Sequence, residues 1–241
     1  AFNDLASVAR LFDEHAGDIA AVIVEPVAAN MGVVPPEDGF LQGLRTLCTK
    51  HGALLVFDEV ITGFRLAPGG AAQYFGVSPD LVVYGKIIGG GMPVGAYGGA
   101  RALMEQVAPL GPVYQAGTLS GNPVAMAAGF ATLSQLKGNS ALYDGIAARG
   151  EALASGLSAA LPGSTVNRVG SLVCPFFTGG GVASYAQACA SDTARYGRYF
   201  HHMLEQGIYL APAQFEAMFV GACHTDDDIA RTVAAAEAFA G

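Results

Sequence analysis

Leu54-Leu55-Val56-Phe57-Asp58-Glu59-Val60 is an apolar run that ends in two acids, and Leu81-Val82-Val83-Tyr84-Gly85-Lys86 is an apolar run that ends in an amine. Short continuous runs rich in β-branched and aromatic residues read as strands buried on both faces. A third run, Ala20 to Val24, precedes them and ends in Glu25-Pro26. Between the third run and the first, Phe40, Leu41, Leu44, Leu47 and Cys48 recur at helical spacing, with Asp38 as candidate N-cap and Gly52 as the stop. Strands alternating with a helix imply a parallel sheet covered by helices, so the fold class is α/β. Ligands bind at the carboxyl edge of such a sheet. Asp58 and Lys86 are therefore delivered to the edge where chemistry is done.

The rest of the chain extends this pattern. Asn3 or Asp4 is placed to cap a first helix through about His15. Val94 to Gly98 reads as another strand, Ala102 to Val107 as a short helix, and Asn122-Pro123 as the start of a helix to Leu136, since proline suits the first helical position. A helix from Leu142 to Leu161 is broken by Pro162-Gly163. The domain boundary falls there: residues 1–162 belong to a large sheet domain, and 163–241 form a smaller α+β domain. The latter has strand candidates at Ser171 to Phe177 and Ile208 to Leu210, a helix from Tyr196 to Gln206, and a last helix from Thr225 through Ala240. Asp226, Asp227 and Asp228 in its first turn complement the dipole.

Composition excludes several function classes. Of the 241 residues 52% are hydrophobic and only 13% charged, so much of the chain must be buried in a core or against a partner. The net charge is −8 and the lysines, Lys50, Lys86 and Lys137, are scattered, which argues against nucleic acid. No apolar run approaches the roughly 20 residues that span a bilayer, and no secretory signal is visible. Cys48, Cys174, Cys189 and Cys223 lie far apart and read as reduced core thiols of a cytosolic protein, with no metal site. The chain begins Ala1-Phe2-Asn3-Asp4 without methionine, as if entering a longer fold partway.

An amine held among apolar residues has its ammonium form disfavoured and becomes a usable nucleophile. Lys86 as a Schiff-base lysine, with the Asp58 carboxylate on a pyridinium nitrogen, is the arrangement a pyridoxal-phosphate enzyme needs. Each residue also has a plain reading: Asp58 as a polar strand end, Lys86 as a surface lysine. Glu59 reads as a structural hydrogen-bonding group. Val60 suits either the face of a cofactor ring or an ordinary core. Gly89-Gly90-Gly91 is not a dinucleotide fingerprint, because that spacing needs glycine where Val94 stands and the segment leads into a strand instead of a helix. These glycines let the backbone approach a ligand or partner. Ser120 or Asn122 caps the helix at Pro123, and Thr118 with neighbouring N–H groups is suited to a phosphate. Glu216, an acid among apolar residues, reads as a loop-surface group or a pocket group. His15, His201 and His202 lack ligand spacing.

Taken together, the chain resembles the class III, fold type I, pyridoxal-phosphate aminotransferases. The stretches that carry the resemblance are Val56-Phe57-Asp58-Glu59-Val60-Ile61-Thr62-Gly63-Phe64-Arg65, Pro79-Asp80-Leu81, Gly85-Lys86-Ile87-Ile88-Gly89-Gly90-Gly91, Gln115-Ala116-Gly117-Thr118-Leu119-Ser120-Gly121-Asn122-Pro123, and Gln214-Phe215-Glu216-Ala217. The resemblance implies pyridoxal 5'-phosphate or pyridoxamine 5'-phosphate as cofactor and Lys86 as its covalent anchor and proton carrier. It implies Asp58 on the pyridine nitrogen, Val60 on the ring, and Asn30 nearby. Thr118 is expected on the phosphate of the partner subunit's cofactor in a homodimer, and Glu216 as an acid reaching toward substrate and lysine. The expected reaction moves an amino group within one small amino-aldehyde; transfer to an external acceptor from an ω-amino acid or amine is the alternative, as is a silent truncated chain. The resemblance also implies that an N-terminal region with the main phosphate loop and the ring-stacking aromatic is absent, leaving this portion incomplete by itself.

Overall fold

The computed structural model describes residues 1–239. It divides into two compact units, one formed by Asp4–Pro26 with Asp38–Asn139, the other by Ala1–Asn3, Val27–Glu37 and the chain from Ser140 onward. The helix that begins at Ser140 thus belongs to the second unit.

The first unit contains α1 (Leu5–Glu14), β1 (Ala21–Val24), α2 (Phe40–His51), β2 (Leu54–Asp58), α3 (Gly70–Phe75), β3 (Leu81–Tyr84), β4 (Ala96–Gly99), α4 (Arg101–Met104) and α5 (Pro123–Leu136). A short 3₁₀ turn, Lys86–Gly89, follows β3. The sheet order is β1-β2-β3-β4. β1 and β3 pair parallel to β2, as the apolar runs imply, with Val24 opposite Phe57 and Asp58 opposite Val83. β4 starts later than its expected position and runs antiparallel to β3, so the sheet is mixed. The reason is the short glycine-rich return, which is too brief for the crossover a parallel partner requires. Asp4 caps α1 by accepting the Ser7 N–H at 2.9 Å. Asp38 does not cap α2; Gly39 stands at that position in a left-handed conformation and no side chain caps the helix.

Burial in β2 alternates, with Leu55 and Phe57 fully buried and Val56 and Asp58 half-buried. This is the pleat at work. It continues one residue further, so that Glu59 is buried and Asp58 is turned to the opposite face. Phe40, Leu41, Leu44 and Cys48 form the buried face of α2, which packs on β2.

The second unit contains α6 (Ser140–Ala160), β5 (Thr165–Val169), β6 (Leu172–Phe176), α7 (Tyr185–Cys189), α8 (Thr193–Glu205), β7 (Met218–Phe219) and α9 (Asp226–Glu237). The three strands form an antiparallel sheet, and β6 is buried along its whole length. Leu157, Phe177, Tyr196, Tyr199, Met203 and Ile229 are among the core residues. Ile208 to Leu210 is not a strand. The strand beside β6 is instead formed by Met218 and Phe219, opposite Val173 and Leu172. β5 is too polar to stand out from sequence; Asn167 is held by the carbonyls of Val33 and Val182, and Thr165 by those of Thr178 and Gly180. Thr225 and Asp228 form a reciprocal capping box on α9. α9 ends at Glu237 with Ala238 as its C-cap, short of the expected end at Ala240, which itself lies outside the described residues. Cys48 and Cys174 are buried, and burial pushes the Cys174 thiol up to about 12. Cys189 and Cys223 are exposed, so only two of the four cysteines are core thiols.

Candidate active site

At the carboxyl edge of the first unit's sheet, β2 ends in Asp58 and β3 is followed by Gly85 and Lys86. Asp58 is half-buried and accepts the Val60 N–H at 3.1 Å. Gly85 is buried, and a Cβ there would lie 3.2 Å from a methyl of Val60. The backbone before Lys86 is thus pressed against Val60, whose methyls lie between the strand end that carries the acid and the one that carries the amine. Lys86 itself has φ +49°, a left-handed conformation costly for any side chain except glycine's hydrogen. Its side chain is exposed, contrary to the apolar enclosure expected for it. Apolar wall is present on one side only: Lys86 shares a cavity of about 630 Å³ with Ile87, Met92, Pro93, Val94 and Arg65.

Glu59 plays the structural part. It is fully buried, and its carboxylate accepts the Thr62 hydroxyl at 3.0 Å and the N–H groups of Ala71 and Ala72 at 2.5 and 3.0 Å. It therefore caps α3 from outside the helix. Gly70 is required there: its φ is +64°, and a Cβ would collide with the Glu59 carboxylate. The charge of Glu59 and burial raise the pKa of Tyr84, burial being the larger cause.

The glycines after Lys86 serve a close approach to a helix. A Cβ on Gly90 would lie 2.5 Å from the Ala128 carbonyl oxygen of α5, and one on Gly129 would strike the Ile88 carbonyl. Gly129, unremarked in the sequence, is the other half of this contact. Asn122 caps α5, accepting from Val124 and Ala125 N–H at 3.1 and 3.2 Å, so the capping choice left open between Ser120 and Asn122 falls on Asn122. Those two helix N–H donors are thereby occupied. Thr118 is exposed in the preceding turn, its hydroxyl open to a ligand.

Asn30 and Glu216 lie in the second unit, on segments tied to each other. The Gly32 N–H donates to the Phe215 carbonyl at 2.8 Å, and a Cβ on Gly32, at φ +87°, would strike the Phe176 ring. Gln214, which sequence reasoning passed over, fixes the Glu216 segment: it is buried and donates to the Pro175 carbonyl at 2.8 Å. Both Asn30 and Glu216 are exposed. Glu216 lines a cavity of about 410 Å³ whose other walls, including Leu153, Leu210, Val220 and Ile229, are mainly apolar.

Asp58, Val60, Lys86 and Thr118 therefore stand in one unit, and Asn30 and Glu216 in the other. No cluster of three metal-ligating side chains occurs among the described residues, and no helix is long and apolar enough to cross a membrane. A carboxylate and an amine on adjacent parallel strand ends, with a β-branched side chain between, suit a pyridoxal-type cofactor: the acid for the ring nitrogen, the methyls for the ring face, the amine for the carbonyl carbon. The close approach of Gly85 to Val60 is the structural observation that fits this use.

Comparison with known proteins agrees. Glutamate-1-semialdehyde 2,1-aminomutase from Acetivibrio thermocellus is 63% identical over 96% of this chain and 54% of its own length. An ω-transaminase from Sphaerobacter thermophilus is 33% identical with a TM-score of 0.89, over 98% of this chain and 55% of that one. A glutamate-1-semialdehyde aminomutase from Pseudomonas aeruginosa PAO1 in complex with PMP is 27% identical with a TM-score of 0.85, over 98% and 54%. The chain spans about half the length of the curated relatives it matches. The class-III aminotransferase family model matches residues 3–234, and the chain belongs to that family.

Proposed function

We propose that the protein is a glutamate-1-semialdehyde 2,1-aminomutase that uses pyridoxal 5'-phosphate and pyridoxamine 5'-phosphate to form 5-aminolevulinate for tetrapyrrole synthesis. The observation that carries the reading is the placement of Asp58 and Lys86 on adjacent parallel strand ends with Val60 between. Curated relatives named for this activity, 63% and 60% identical, supply the choice within the family.

When bound, the cofactor supplies an electron-withdrawing ring and a carbon that exchanges amines. Asp58 keeps the ring nitrogen protonated, and Val60 packs on the ring. Lys86 anchors the cofactor and carries a proton to and from the substrate carbon at which the amine is exchanged. Asn30 is assigned to the ring and Glu216 to the substrate. Thr118 is assigned to the phosphate of the partner subunit's cofactor in a cytoplasmic homodimer.

The test uses the full-length protein. Pyridoxal phosphate should produce a visible absorption band, and borohydride should fix the label on the peptide containing Lys86. A label on Lys50 or Lys137 would overturn the assignment. Product should form with no external amino acceptor. A strict need for a keto acid would favour a second reading, to which the likeness to the ω-transaminase points.

A further inference from the structure

The cavity that holds Lys86 also holds Arg65, and the remaining lining is apolar or glycine; no carboxylate lines it among the described residues. The chain carries a net charge of −8 with only 12 lysines and arginines. Two cations on one cleft of about 630 Å³ therefore stand against the overall balance. The apolar wall on one side of it, Ile87, Met92, Pro93 and Val94, strengthens its attraction for an anion.

Arg65 reaches the cleft on a loop that is fixed at several points. The Gly63 N–H donates to the Glu59 carbonyl at 2.8 Å, and the Arg65 N–H to the Thr62 carbonyl at 3.1 Å. Phe64 is held at φ +57°, and its ring lies 5.5 Å from that of Tyr84, which ends β3. A Cβ on Gly63 would collide with the Tyr84 ring. The loop after β2 is thus locked onto the strand that delivers Lys86, and the Arg65 it carries lines the same cleft as the amine. Burial lowers the pKa of Arg65, the sign of a guanidinium set back from water.

We infer that Arg65 is the oxyanion-recognising residue of the Lys86 cleft, taking a carboxylate of the substrate or the phosphate of the cofactor while Lys86 takes the carbonyl carbon. A planar guanidinium binds either group with two parallel hydrogen bonds, which an ammonium cannot do. The catalytic half of this inference rests on the reading of Lys86 above; the anion-binding half does not.

The first measurement uses the full-length protein without cofactor. Phenylglyoxal modification is followed peptide by peptide, with glutarate and inorganic phosphate as separate probes. One probe should slow modification of Arg65 several-fold and leave the exposed Arg101 unaffected. Protection by glutarate assigns the substrate carboxylate; protection by phosphate assigns the cofactor. Protection by neither overturns the inference. The second measurement uses the cofactor-loaded protein with Arg65→Gln and Arg65→Lys. In the carboxylate case KM rises about 10- to 100-fold while kcat changes little; in the phosphate case the Kd for pyridoxal phosphate rises by that factor and the Kd for pyridoxal does not. No change in either constant overturns the inference. If either variant fails to fold, the protection pattern of the wild-type protein decides. Failure of borohydride to label Lys86 would sink the cofactor reading while leaving protection at Arg65 intact, so the two failures are distinguishable.

Discussion

The two ends of the first unit's sheet treat their charges in opposite ways. At the end where β2 and β3 begin, Asp80 accepts the Arg45 guanidinium at 2.6 Å and the Leu55 N–H at 2.7 Å, through one carboxylate oxygen. Burial opposes ionisation of Asp80, but these donors outweigh it and the carboxyl is held below its usual range. At the end where β2 and β3 stop, Asp58 has the Val60 N–H, and none of the ion pairs among the described residues involves Lys86. Both ends carry an acid and a cation, yet only one end joins them. The joined pair ties α2 to the start of two strands and serves the fold. The unjoined pair makes no such tie, and the Lys86 backbone is held in a left-handed conformation.

The largest expected effects come from the neighbours Asp58 and Glu59. Glu59→Ala leaves the Ala71 and Ala72 N–H groups without their buried acceptor and should cost about 3 kcal/mol or more in urea denaturation. Asp58→Asn should leave stability within roughly 0.5 kcal/mol and cut turnover about 100-fold or more. If Asp58→Asn proved as destabilising as Glu59→Ala, the division between structural and reactive acids would fail.

A smaller effect is expected at the paired end. Asp80→Asn should cost about 1–3 kcal/mol near neutral pH, since it weakens a charged bond to Arg45 and a backbone bond to Leu55. Because the folded pKa is depressed, the stability is fully present above the unfolded carboxylate value near ~3.9 and is lost as pH falls through the folded value. The thermal midpoints of wild type and variant should therefore converge in acid, and a constant gap at all pH values would refute the linkage.

The smallest effect has an unusual sign. Lys86→Gly should stabilise by up to about 1 kcal/mol, because glycine accepts φ +49° without penalty. Lys50→Gly, in the last turn of α2, should instead destabilise by up to about 1 kcal/mol. Equal losses at both sites would show that the Lys86 backbone is not strained.

Much of this was legible in the chain itself. β1, β2 and β3 were marked by apolar runs, and α5 by Asn122-Pro123, because strand burial and helix capping are local consequences of residue order. The second unit was harder: β5 is polar and held by distant carbonyls, and β7 is two residues long, too short for any pattern. The function of Gly70 depends on Glu59, and that of Gly90 on α5, neither of which is a neighbour in sequence.

The sequence by itself determined which charges stand at strand ends, since an apolar run followed by an acid or an amine can fold in few other ways. Tertiary structure alone decided which acid is committed to the fold and which is left open. The pleat turns Glu59 toward the α3 N-terminus and Asp58 away from it, and only the packed loop after β2 brings Arg65 into the cavity of Lys86. These outcomes depend on distances between segments far apart in the chain, and no local pattern of residues contains them.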